Sequence, residues 1–111
     1  MGGERIIKPF DIYITYVSWS GNGKTRPVLV IGRQDAVVYV FNITTQYESK
    51  SEAIRAGYFI INDWKAASLD RQSYIDTNTV RDIPASVFDG KERIGKLSAA
   101  DEKRLIKFID K

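Results

Sequence analysis

Two runs rich in β-branched residues, Arg26 to Arg33 (RPVLVIGR) and Val37 to Thr44 (VVYVFNIT), are separated only by Gln34-Asp35-Ala36. Parallel strands need a crossover of about a dozen residues or more, so this break implies an antiparallel hairpin. Pro27 sits at the head of the first run, where its missing N–H costs little. If Arg33 pairs with Val37 across a three-residue turn, paired positions sum to seventy and Arg26 stands opposite Thr44. Directly opposed side chains have Cβ atoms about 5 Å apart. A two-residue turn would shift that register by one.

The rest of the chain reads as short elements around this hairpin. Phe10, Ile12, Ile14 and Tyr16 alternate with Asp11, Tyr13, Thr15 and Val17, the period of a strand with one buried face. Tyr16 is assigned to the core. Ser18 to Thr25 (SWSGNGKT) reads as a glycine-punctuated loop. Ser51 to Ala56 forms a helical turn and Gly57 to Ile61 a short strand. Asn62 or Asp63 caps a short helix through Trp64 to Leu69, with Trp64 as a core anchor. Ser73 to Thr77, Thr79 to Ile83 and Glu92 to Leu97 are three further short strands. Ser98 caps the last helix, and Asp101 sits where a capping box carries its acid. Leu105, Phe108 and Ile109 form that helix's apolar stripe, with Leu97 as the staple before the cap. These elements imply a mainly-β fold, a small curved barrel with a C-terminal helix, because closing a sheet removes its edges. The 111 residues make one domain, with residues 1–8 expected as a loosely ordered N-terminal segment.

Composition narrows the chemistry. The chain has no cysteine and no histidine, which removes disulfides, thiol nucleophiles, the commonest general base and the commonest zinc ligands. No pair of acids has metal-ligand spacing, so neither a metal nor another cofactor is expected. Nothing approaches the ~20 apolar residues of a membrane span, and no signal-peptide core follows Met1 to Arg5, so a cytoplasmic protein is expected. Seventeen Lys and Arg against fourteen Asp and Glu give a net charge of +3, which is compatible with nucleic acid without demanding it. Lys24, Arg26 and Arg33 lie in a stretch that holds no acid; alone, such a cluster reads as a solvated edge. Gly23-Lys24-Thr25 imitates the end of a phosphate-binding P-loop. That motif needs a glycine where Ser18 stands and a helix where Arg26-Pro27-Val28 opens a strand.

Several stretches resemble the MazF/PemK family of toxin endoribonucleases. These are Asp11-Ile12-Tyr13, Thr25-Arg26-Pro27-Val28-Leu29-Val30-Ile31, Asn42-Ile43-Thr44-Thr45-Gln46, Ser73-Tyr74-Ile75-Asp76 with Val80-Arg81-Asp82-Ile83, and Arg93-Ile94-Gly95-Lys96-Leu97-Ser98. The resemblance runs from about Pro9 to Ile109. It implies an SH3-like barrel of the CcdB/PemK kind, a homodimer whose groove takes single-stranded RNA, and a cognate antitoxin whose extended C-terminal tail covers that groove. It also implies that Arg26 and Thr44 are the catalytic pair, the same two residues that the hairpin register opposes. Lys24, Thr25, Trp19, Thr45 and Gln46 are the expected RNA contacts beside them. Trp19 or Tyr13 is a candidate for stacking on a base, and Arg33 lies at the far end of its strand.

In the reading that this resemblance implies, RNA supplies its own nucleophile, the 2′-hydroxyl, and the products are a 2′,3′-cyclic phosphate and a 5′-hydroxyl. Arg26 stabilises the charge that develops on phosphate. Two other classes stay open: an inactive SH3-like-barrel binding module, and a CcdB-like gyrase inhibitor. The second is disfavoured by the closing Phe108-Ile109-Asp110-Lys111, which lacks a Trp-Gly-Ile-like ending.

Overall fold

A computed structural model describes residues 6–19 and 21–110, with only the backbone of Trp19. Along the chain come β1 (Asp11–Trp19), β2 (Asn22–Gln34), β3 (Val37–Thr44), α1 (Glu52–Arg55), β4 (Tyr58–Ile60), β5 (Tyr74–Pro84), a 3-10 turn (Ala85–Phe88), β6 (Gly95–Lys96) and α2 (Ala99–Ile109). Among the described residues the strands form one antiparallel sheet, in the order β4-β5-β3-β2-β1-β6, curled into a half-barrel. The expected mainly-β class with a C-terminal helix is what the chain adopts.

The middle of this sheet is covered on both faces, which explains the uninterrupted apolar run in β2. Leu29, Phe41 and Ile43 join Phe59, Ile61, Leu97 and Leu105 in one core cluster, beneath α2. Val28, Val30, Val38 and Val40 join Tyr13, Val17, Ile83 and Phe88 in the other. In β1 the buried set is therefore Asp11, Tyr13, Thr15 and Val17, with Ile12 buried on the opposite side. Past the reach of α2's cluster, Ile14 emerges and Tyr16 stands 59% exposed, so Tyr16 is not a core residue. Tyr16 instead lies across Gly23, where an added Cβ would meet its hydroxyl.

The hairpin differs from the expected one in a way that cancels. Gln34 pairs with Val37, Arg33 with Val38 and Gly32 with Tyr39, so the turn holds two residues, Asp35 and Ala36. Asp35 takes φ 55°, the left-handed conformation such turns require. A β-bulge then intervenes between Val30 and Gly32. Beyond it Val30 pairs with Val40, Leu29 with Phe41 and Val28 with Asn42, the frame of the three-residue turn. The segment expected as a loop at 18–25 is likewise mostly strand: Ser18 pairs with Gly23 and Trp19 with Asn22, and Gly21 turns the chain at φ 80°.

The two strands expected at 73–77 and 79–83 are one bulged strand. Val40 of β3 pairs with Arg81 and Asn42 with Asp76, so residues 77–80 bulge out opposite Phe41. The bulge is held from outside. The Thr77 N–H and hydroxyl both donate to the Gly57 carbonyl (2.8 and 2.7 Å), and the Asn78 amide donates to the Ile54 carbonyl at 2.9 Å.

Residues 62–68 form turns rather than the expected helix. The Leu69 N–H bonds to the Trp64 carbonyl and the Ser68 N–H to the Lys65 carbonyl, with Ser68 at φ 68°. That double bond with a left-handed residue is the Schellman stop, reached here after a single turn. Trp64 is half-buried against the core. β6 is shorter than expected and presses Gly95 onto this turn, where a Cβ would meet the Ala67 carbonyl. Of the expected stripe on α2, Leu105 is fully buried and Phe108 packs on the core, whereas Ile109 is 51% exposed. Within the segment expected to be loose, Ile7 packs against the second core cluster and the Lys8 N–H bonds to Asp11; residues 1–5 lie outside those described.

Ser98 caps α2 by accepting the Asp101 N–H at 3.1 Å. Asp101 does not return the bond within its own helix, as a capping box would. Its buried carboxylate accepts the Asp63 N–H at 2.8 Å and pairs with Arg104 at 2.7 Å, while the Ser98 hydroxyl donates to Asp63 at 2.7 Å. Asp101→Ala leaves the Asp63 N–H and the Arg104 guanidinium short of a partner. Denaturant unfolding is expected to show a loss of about 2–3 kcal/mol, against under about 0.5 kcal/mol for exposed Lys103→Ala. Equal losses would contradict the clamp.

Candidate active site

The restored register carries its consequence to the far end of the hairpin. The last rung of the β2–β3 ladder is Val28 with Asn42. Two residues further in the same frame are Arg26 and Thr44, on one face of the sheet. Both are half-buried. They wall two adjoining cavities, and Lys24 and Gln46 share both walls. The first cavity, about 210 Å³, is completed by Thr25, Thr45, Asp70 and Ser73 among others. The second, about 320 Å³, is completed by Asn42, Lys50, Tyr58, Asp76 and Arg81.

Six of the seven residues expected from sequence meet here: Arg26, Thr44, Lys24, Thr25, Thr45 and Gln46 line these walls. The backbone of Trp19 closes β1, and its side chain lies outside the described residues, as does the stacking role expected of it. Tyr13 is 1% exposed and packs edge-on against Phe88, so it cannot offer a face to a base. Arg33 lies at the opposite end of β2, its Nε donating to the Asp35 carbonyl at 2.9 Å beside the turn.

Local geometry prepares the pair for an anion. The Thr44 hydroxyl oxygen accepts the Gln46 N–H at 3.0 Å, which fixes the oxygen and leaves its hydrogen to donate to a ligand. Arg26 brings a planar fork of N–H donors suited to phosphate oxygens. Lys24, Lys50 and Arg81 add positive charge to the second cavity, and Asp76 is its sole carboxylate among the described lining residues. Two polar atoms in this lining, Asn42 Oδ1 and Arg81 Nε, are buried without a hydrogen-bond partner among the described residues. Buried polar groups are ordinarily satisfied, so these atoms suit a site that binds polar ligands or water.

Asn42, Tyr58, Asp76 and Arg81 were not singled out as site residues by sequence. Asn42 and Asp76 are directly paired across β3 and β5, and Tyr58 pairs with Asp76 across β4 and β5. The strand assignment alone could have suggested their convergence, had the 77–80 bulge been readable. The Tyr58 hydroxyl is held above the ordinary tyrosine pKa, chiefly by burial and then by the Asp76 carboxylate, with Arg26 pulling the other way. No group of three or more His, Cys, Asp or Glu residues suited to a metal occurs among the described residues.

The sequence matches, over residues 8–109, the family of PemK-like, MazF-like toxins of type II toxin–antitoxin systems. The chain belongs to this family. It is thus the toxin of a pair whose other member is an antitoxin. No individually curated protein matches the chain in sequence. No helix among the described residues is long and apolar enough to cross a membrane.

The electrostatic coupling across the cavity is measurable. Removing the charge that lowers a tyrosine pKa must raise it, and removing one that raises it must lower it. Arg26→Ala is expected to push the Tyr58 pKa further up, and Asp76→Asn to bring it down, as followed by NMR titration of the tyrosine ring carbon. Shifts of the opposite sign would contradict the arrangement.

Proposed function

We propose that the protein is a metal-independent endoribonuclease that cuts single-stranded RNA, with Arg26 and Thr44 as its catalytic pair. The observation that carries this reading is that the two side chains share the walls of the same two cavities. Family membership supports it, since the toxin acts within a toxin–antitoxin pair.

The 2′-hydroxyl attacks the adjacent phosphorus, so a P–O2′ bond forms and the P–O5′ bond breaks. Holding the nucleophile in line with the leaving oxygen contributes much of the rate. Arg26 donates to the non-bridging oxygens as their charge grows, and the Thr44 hydroxyl donates to one of them or orients the 2′-oxygen. Arginine stays protonated at neutral pH and is a poor base. Asp76, the carboxylate of the second cavity, takes the 2′-hydroxyl proton. The leaving 5′-oxygen takes a proton from solvent water as it departs. The products are a 2′,3′-cyclic phosphate and a 5′-hydroxyl. Lys24, Thr25, Thr45 and Gln46 hold the flanking backbone. In this reading the protein is a cytoplasmic homodimer, and the antitoxin silences it by laying an extended C-terminal tail over the same groove.

The test is cleavage of a long single-stranded RNA in EDTA. Arg26→Ala and Thr44→Ala should each lower the single-turnover rate about 10²–10³-fold. DNA of the same sequence should bind without being cut, because it lacks the 2′-hydroxyl. Undiminished cutting by both variants, or cutting that requires magnesium, would contradict the assignment.

A further inference from the structure

Beside the second cavity lies a larger cleft of about 560 Å³, lined by Tyr47, Tyr58, Tyr74, Phe59, Phe108 and Lys107 among others. Tyr58 belongs to both linings, so the cleft and the cavity that holds Arg26 and Thr44 share a wall. Three tyrosines meet there. The Tyr47 and Tyr74 rings stack at 4.5 Å with 17° between their planes, and Tyr58 leans against both at 6.2 and 6.4 Å. The Arg55 guanidinium sits 5.3 Å over the Tyr47 ring. All three tyrosines are only half-buried.

Isolated aromatic pairs are ordinary core packing. This cluster is different in being partly open, flanked by cations and continuous with a basic cavity. A single RNA strand alternates charged phosphates with flat bases. Proteins that bind such strands combine a basic track with aromatic platforms. Here the basic cavity and the aromatic cleft lie side by side, joined at Tyr58. We infer that the Tyr47–Tyr58–Tyr74 cleft is a base-stacking subsite, which takes a nucleobase of single-stranded RNA flanking the phosphate held at Arg26. Exposed Lys107 meets a neighbouring phosphate at its mouth. Arg104 belongs to the cleft wall, since its guanidinium is already bound to Asp101 and to the Ile60 carbonyl.

This inference rests on the ribonuclease reading, and its test separates the two. The probes are a fluorescein-labelled single-stranded DNA oligonucleotide, for binding without cleavage, and a long single-stranded RNA in EDTA, for cutting. Tyr47→Leu with Tyr74→Leu should weaken oligonucleotide binding at least about tenfold, the scale of one lost base stack. KM for RNA should rise in parallel, and the saturated single-turnover rate should stay within about threefold. Tyr47→Phe with Tyr74→Phe keeps the ring faces and should retain the parent's affinity, which separates stacking from folding damage. A parent protein that cuts RNA, with a leucine variant that binds and cuts as the parent does, would overturn the subsite alone. The same holds if the leucine variant keeps oligonucleotide affinity but loses binding of a synthetic Glu- and Trp-rich peptide, which would give the cleft to a protein partner. A parent that neither binds nor cuts RNA would overturn both readings.

Discussion

One extra residue in β2 governs what the sheet can do. Side chains alternate between faces along a strand, so a register change of one residue exchanges the faces of everything beyond it. The two-residue turn at Asp35-Ala36 sets one frame, and the bulge between Val30 and Gly32 replaces it with another. In the first frame Arg26 would stand opposite Thr45 and face away from Thr44. In the second, Arg26 and Thr44 fall on one face. The bulge is stabilised by the residue it adds: Ile31 packs on the core cluster beneath α2.

A second irregularity builds the other wall. Residues 77–80 of β5 bulge out opposite a single residue of β3 and are held by Gly57 and Ile54. Asp76 and Arg81, at the two edges of this bulge, both line the second cavity. β4 is anchored to the same segment and contributes Tyr58. The catalytic reading and the stacking reading thus draw on the same construction, in which bulges re-aim polar side chains at the end of a sheet otherwise given to packing.

The parts of the fold that local chemistry controls were legible in the sequence. The β-branched runs of β2 and β3, the short break between them and the Ser98 cap of α2 all follow from propensity and spacing. The opposition of Arg26 and Thr44 was read from a three-residue turn that does not exist, and it survives because the bulge supplies the missing residue. What depended on tertiary contact was not legible. Tyr16 alternates like a core residue, yet among the described residues no layer covers its face of β1 beyond Ile12, while Thr15 and Val17 are buried on the other face. Ile109 fits the helical stripe but lies past the last core contact of α2. Asn78 looks like a break between two strands because what holds this bulge, the carbonyls of Gly57 and Ile54 bonded to Thr77 and Asn78, comes from a different part of the chain. Tyr58 and Arg81 were invisible as site residues for the same reason, being neighbours of Arg26 only after folding.

The central claim is that a guanidinium and a hydroxyl act together on one phosphate. A double-mutant cycle on the single-turnover cleavage rate in EDTA, with Arg26→Ala, Thr44→Ala and the combined variant, tests it most directly. If the groups act as a unit, the combined variant should be slowed far less than the product of the two single effects. Rate losses that simply multiply would mean that the two side chains act independently, and would contradict the account.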